Sequence, residues 1–181
     1  MQLVEAPAGV DTGRWLASWR CLKYHEDIGL FLAEGRGDER AFAELHTPYE
    51  ERVIEGNALV NNGAQLMLDA LIGTAITAFS NANARIGVGD STTAVGPTQT
   101  DLQAATNKLR KAMDATFPSR AAQTMSWKSS FTSAEANFVW NEWAIFNAAS
   151  GATSMLNRKV ESLGTKTTGT WTLQGDFTLT T

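Results

Sequence analysis

The side chains that most often carry out catalysis or bind metals are few and scattered in this sequence. It contains two histidines, His25 and His46, and one cysteine, Cys21. Neither histidine has a cysteine or a second histidine at the short spacing of a zinc site, and one cysteine cannot form a disulfide within the chain. Both histidines lie in polar, turn-like contexts and are predicted to be surface residues. Cys21 lies in an alternating segment and is predicted to be a small buried side chain. The sequence therefore predicts no catalytic residue and no metal site.

Two carboxylates, Glu135 and Glu142, flank the aromatic segment 138–146. A pair of carboxylates among aromatic residues is typical of glycoside hydrolases, which need an acid beside a base or nucleophile. The alternative is structural ion pairing across a sheet, and we favour it. The cations available for such pairs are Arg158, Lys159 and Lys166.

The only glycine pattern that resembles a nucleotide-binding loop is Gly-Val-Gly at residues 87–89. It lacks the third glycine of the dinucleotide fingerprint, and the residues after it are typical of a loop where that fold needs a helix. It also lacks the Gly-Lys-Ser/Thr of a phosphate-binding loop. The sequence therefore predicts no cofactor.

The net charge of −4 is distributed unevenly, with −5 over residues 1–60 and +1 over residues 61–181. Proteins that bind nucleic acid usually carry a basic face, and the tight basic cluster of Lys108, Arg110 and Lys111 is predicted to be a solvated strand end. No stretch approaches the roughly 18 apolar residues of a membrane-spanning helix. The first residues lack the basic start and apolar run of a signal peptide. We therefore expect neither nucleic acid nor a membrane as a partner.

Alternating apolar residues predict β-strands over much of the chain, most clearly in Trp15–Tyr24 and in residues 171–179. A helix is predicted at about residues 61–73, with Asn61 or Asn62 as its N-cap and its end at Gly73. A helix of this length needs tertiary packing, so we expect its apolar stripe to lie on the apolar face of the last strand. That stripe consists of Ala64, Met67, Leu68 and Leu71.

The predicted fold class is mainly β: an antiparallel β-sandwich or barrel with one packed α-helix, formed by residues 15–181 as a single domain. Residues 1–14 contain Pro7, Gly9 and Gly13 without periodicity and are predicted to form an extended arm. Six tryptophans are many for this length, and tryptophan is favoured at protein interfaces. We expect the arm to bind a neighbouring subunit. The predicted interface residues are Leu3, Val4, Val10, Trp15 and Trp19.

Four stretches form a recognisable pattern in the central and C-terminal parts of the chain. They are 55–63 (EGNALVNNG), 81–94 (NANARIGVGDSTTA) continuing to 97–102 (PTQTDL), 135–143 (EANFVWNEW) and 156–173 (LNRKVESLGTKTTGTWTL). In this order they resemble a family of small virion structural proteins encoded among the structural genes of tailed bacteriophages. The resemblance covers roughly residues 50–181, and residues 1–50 match no family pattern.

The resemblance implies a non-enzymatic virion component that is synthesised in the host cytoplasm and forms a homo-oligomer or binds other virion proteins. Minor tail or neck protein is the role we favour, with the tail, neck or major capsid protein as partner. One alternative is a head decoration protein that clamps capsid subunits. Another is a carbohydrate-binding module on the particle surface, which requires two or more tryptophans in one exposed patch. The family supplies no catalytic residues.

Overall fold

The computed structural model describes residues 14–152 and 154–180. Within them the chain forms ten strands and three helices. The strands are β1 (Arg14–Tyr24), β2 (Glu50–Glu55), β3 (Ala58–Leu59), β4 (Arg85–Gly89), β5 (Lys108–Ala112), β6 (Ser119–Ala121), β7 (Thr124–Phe131), β8 (Val139–Phe146), β9 (Asn157–Thr165) and β10 (Thr170–Thr180). The helices are α1 (Ile28–Ala33), α2 (Glu39–Leu45) and α3 (Asn61–Ile72).

The strands form two five-stranded antiparallel sheets that pack face to face, which confirms the predicted β-sandwich. Sheet A has the order β2-β1-β10-β7-β6, and sheet B has the order β3-β9-β8-β4-β5. The first and last strands are neighbours in sheet A, paired from Arg14 opposite Thr180 to Tyr24 opposite Thr170. The central strands of both sheets direct alternate apolar side chains into the space between them.

Aromatic side chains fill the core between the sheets. Trp19 of sheet A meets Trp143 of sheet B edge to face, with ring centroids 5.9 Å apart. Trp19 also contacts Phe177 at 5.7 Å. A Cβ at Gly175 would lie 2.8 Å from the Trp19 ring, so only glycine leaves room for this indole. The predicted apolar face of the last strand is therefore a core face, on which Gly175 makes room for the Trp19 ring.

Helices α1 and α2 correct the prediction of a single helix. Their N-termini are capped by Asp27, which accepts a hydrogen bond from the Gly29 amide, and by Asp38, which accepts one from the Ala41 amide. The two helices pack through Phe31 and Phe42, whose ring centroids are 5.5 Å apart. Phe31 and Phe42 form a small satellite core with Ile28, at the start of α1, and Tyr24, at the end of β1. Each helix has only six or seven residues, too short for an apolar period to be recognised.

Helix α3 exists as predicted and ends at Gly73, which adopts a left-handed conformation with φ 78°. Its N-cap is Val60, without a side-chain hydrogen bond, which corrects the prediction of an asparagine cap. Its packing also corrects the prediction. Met67 packs against the main core, whereas Leu68 and Leu71 are exposed. The cause lies in the first turn, where a Cβ at Gly63 would lie 1.9 Å from the Leu156 carbonyl oxygen. This close backbone contact sets which face of the helix meets the sandwich. No helix in the described part of the chain is long and apolar enough to span a membrane.

Candidate functional site: the open edge of β1 and the outer face of α3

The five predicted interface residues have different environments. Leu3, Val4 and Val10 lie outside the described residues. Trp15 is partly buried at the start of β1 and packs on Phe177, with ring centroids 5.4 Å apart. Trp19 is 1% exposed in the core of the sandwich, so in this conformation it has no surface to offer a partner. Its position in an alternating strand already indicated a core residue, and the abundance of tryptophan was a misleading reason to place it at an interface.

The tryptophans do not form the exposed patch that a carbohydrate-binding module requires. All six lie in the described part of the chain, and five of them are buried between the sheets. Trp15 is the sixth and is only partly exposed. A stacking platform for sugar rings would need two of these side chains to leave the core.

The histidines pack against aromatic rings. His25 stacks on Tyr49 with ring centroids 4.3 Å apart, and His46 contacts Phe42 at 4.5 Å. Among the described residues, no group of three or more His, Cys, Asp or Glu side chains is arranged to hold a metal ion. Cys21 is buried, and burial raises the pKa of its thiol to about 12. The thiol therefore stays protonated at neutral pH, which removes its nucleophilic form.

Glu142 and Arg158 form a buried ion pair, as the preferred interpretation of Glu142 predicted. Arg158 Nε lies 2.6 Å from Glu142 Oε2, and both side chains are 0% exposed. Glu142 also accepts hydrogen bonds from the amides of Gln103 and Ala104, and Arg158 donates to the Thr93 carbonyl. The pair therefore fastens the long loop between β4 and β5 onto sheet B.

Glu135 has a different cationic partner, so the two predicted carboxylates each belong to a separate ion pair. Lys111 Nζ lies 2.6 Å from Glu135 Oε2. Burial acts to raise the pKa of Glu135, but the Lys111 ammonium and the Thr132 amide outweigh it and hold the pKa below its usual range. Both carboxylates therefore have cationic and backbone-amide partners within the chain.

The basic cluster on β5 is neutralised by acidic neighbours. Asp101 binds both Lys108, at 3.0 Å, and Arg110, at 2.8 Å. Lys111 binds Glu135, as described above. Each cation of the cluster therefore already has an anionic partner within the chain. The prediction of a solvated strand end is corrected, since the cluster forms most of β5 and the Arg110 side chain is only 10% exposed.

Lys166 is a buried cation that the sequence did not distinguish from the other lysines. Its Nζ donates to the Thr132 carbonyl at 2.7 Å and to Asn137 Oδ1 at 3.0 Å. Burial lowers the pKa of Lys166 to about 8, against the opposing effect of the Asp27 and Glu135 carboxylates. Lys166 fastens the β9–β10 turn to the loop between β7 and β8.

The first residues of β1 have a strand on one side only. β10 pairs with β1 along its whole length, but the register with β2 ends at Ser18 opposite Glu55. The Gly56 amide makes one further bond, to the Ala17 carbonyl at 2.7 Å, and the chain then turns away to β3. Among the described residues no strand pairs with Arg14–Leu16 on this side, and we call this stretch the open edge of β1.

A cleft of about 390 Å³ lies along the open edge. The side chains of Leu16 and Leu59 expose apolar surface there. Two residues of its lining have a buried hydrogen-bond donor, Trp15 Nε1 and Asn57 Nδ2, for which the described part of the chain provides no acceptor. Buried donors normally have a partner, so these two atoms mark a place where acceptors are missing. The cleft is lined by Trp15, Leu16, Ala17, Glu55, Gly56, Asn57 and Leu59.

The outer face of α3 is a second apolar surface. Leu68, Leu71 and Ile72 are 62%, 81% and 78% exposed. Their spacing of three and four residues places them side by side on one helical face. Grouped exposed aliphatic side chains of this kind are typical of protein interaction surfaces.

No family model, curated protein or solved structure matches this chain.

Proposed function

We propose that this chain is a non-enzymatic structural protein of a tailed-bacteriophage virion, assembled in the tail or neck with copies of itself or with other virion proteins. The observation that supports it most is the outer face of α3. Fully burying a leucine or isoleucine side chain contributes about 1.5–3 kcal/mol, and Leu68, Leu71 and Ile72 leave most of that contribution unrealised in the single chain.

Two of the carboxylates form ion pairs within the chain, which supports a structural role. Glu142 is paired with Arg158 and Glu135 with Lys111, each at 2.6 Å. These contacts fix loops onto the sandwich instead of presenting charge to a substrate. The sequence resemblance to small virion structural proteins, which covers roughly residues 50–181, supports the same interpretation and supplies the virion context.

The proposal is tested by mass spectrometry of purified particles from a phage that encodes this sequence. The chain should be present in particles, and cryo-electron microscopy should place it on the tail or neck. A chain that is expressed in the infected cell but absent from washed particles would refute the virion role. Density on the head would instead assign the chain to capsid decoration.

A pair of matched variants tests the role of the α3 face. Leu71→Lys places a charge in that face, and Leu45→Lys makes the same change at an exposed helical leucine on α2, 66% exposed. Both variants should melt within a few degrees of the natural chain, because both side chains are exposed. Leu71→Lys should be lost from particles while Leu45→Lys is retained. Equal retention of the two variants in particles would show that the α3 face is not needed for assembly.

A further inference from the structure

We propose that the open edge of β1 binds residues 2–5 of a second copy of this chain as an added strand. This inference rests on the proposed function, because it names the contact through which copies would assemble. It uses three features: unpaired backbone on β1, unpaired donors in the adjoining cleft, and a segment with strand character at the start of the chain.

The backbone geometry of β1 provides the first feature. In an antiparallel strand, alternate residues direct both backbone polar groups to the same side. The Ala17 carbonyl points toward β2, since it accepts from the Gly56 amide. The amide and carbonyl of Trp15, two residues earlier, therefore point to the same side, where β2 has already ended at Glu55. An added strand would satisfy both groups.

The cleft matches what an extended peptide offers. A strand presents backbone carbonyls along its length and side chains on alternating sides. Its carbonyls would supply the acceptors that Trp15 Nε1 and Asn57 Nδ2 lack. Its apolar side chains would cover Leu16 and Leu59, which are exposed in the single chain. Both the polar and the apolar parts of the cleft are therefore complementary to an extended peptide.

The sequence before Arg14 contains one segment of suitable composition, Gln2–Glu5, in which Leu3 and Val4 are the aliphatic residues. A tight hairpin back onto β1 of the same chain would instead place residues 7–10 at the open edge. Within that stretch Pro7 lacks an amide hydrogen and Gly9 is a weak strand former. Residues 6–13 extended span roughly 26 Å, enough to carry residues 2–5 to a neighbouring copy.

The test is a complementation experiment on the full-length protein by size-exclusion chromatography with light scattering. Val4→Pro disables the donated segment, because proline removes a backbone donor. Leu16→Asp disables the edge by placing a charge beside the incoming strand. Val53→Asp is the control, since Val53 is also exposed on sheet A but lies outside the cleft.

The natural chain and Val53→Asp should form oligomers, and each of the two disabled variants alone should be monomeric at the same concentration. Their mixture should form a dimer, because the intact segment of Leu16→Asp can enter the intact edge of Val4→Pro. A mixture that stays monomeric, or a natural chain that is monomeric at all concentrations tested, overturns the strand exchange. If such a monomer is nevertheless found in particles, the proposed function survives without this contact. If the natural chain forms the oligomer but is absent from particles, the strand exchange is supported and the proposed function is refuted.

Discussion

Removing the positive charge of the buried Glu142–Arg158 pair should destabilise the fold severely. In Arg158→Met most of the apolar stem remains but the guanidinium is lost, so Glu142 stays at 0% exposure with only its two amide donors. The Thr93 carbonyl also loses its 3.0 Å donor. Breaking one side of a buried pair costs about 3–5 kcal/mol. For a domain of this size that loss corresponds to a drop in Tm of roughly 6–20 °C.

The control removes the guanidinium from an arginine–glutamate pair that is exposed to water. Arg20 Nε lies 2.7 Å from Glu51 Oε1, with side chains 52% and 42% exposed. Arg20→Met should therefore cost at most about 1 kcal/mol, because exposed pairs contribute little. Urea unfolding followed by tryptophan fluorescence measures both variants. The double variant Glu142→Gln/Arg158→Met should be more stable than Arg158→Met alone, since it leaves no unpaired buried charge. Equal small losses for Arg158→Met and Arg20→Met would refute the reasoning.

Three further results are expected. Leu173→Ala should lower the free energy of unfolding by about 2–5 kcal/mol in a urea titration, because Leu173 is fully buried, whereas Leu71→Ala on the exposed face of α3 should change it little. The folded-state pKa of Lys166 is about 8, below the ordinary 10.5, so the folded state takes up fewer protons between these values. The natural chain should therefore gain stability relative to Lys166→Met as the pH rises from about 8 to 10.5, and a constant difference would contradict the buried position. A chain lacking residues 1–13 should melt within a few degrees of the full chain but fail to enter particles, and if it unfolds, those residues belong to the core.

The β-sandwich could be predicted because the last strand alternates apolar and polar residues, with its apolar residues in the core. Trp171, Leu173 and Phe177 alternate with polar residues, and all three are buried as that alternation requires. Helices α1 and α2 were missed because α1 buries only Ile28 and Phe31 and α2 only Phe42, and one or two buried residues are too few to show a helical period.

Long-range contacts explain what the sequence could not predict. The stripe on α3 is real, but the contact of Gly63 with the Leu156 carbonyl turns Leu68 and Leu71 outward, and no local pattern contains that contact. The open edge of β1 was also unpredictable, because it depends on where β2 ends against β1. A register between distant segments is set by the whole sheet.

The pairing of β1 with β10 has a consequence for how the chain folds. These two strands are neighbours over eleven residue pairs, from Arg14–Thr180 to Tyr24–Thr170. During synthesis β1 emerges first and stays without its longest partner until the last strand has left the ribosome. Contacts between the two ends of a chain carry a large loop-closure cost, and folds dominated by such contacts form in milliseconds to seconds. Sheet A can therefore be completed only after β10 has been synthesised, and until then the apolar face of β1 that carries Trp19 is available to chaperones.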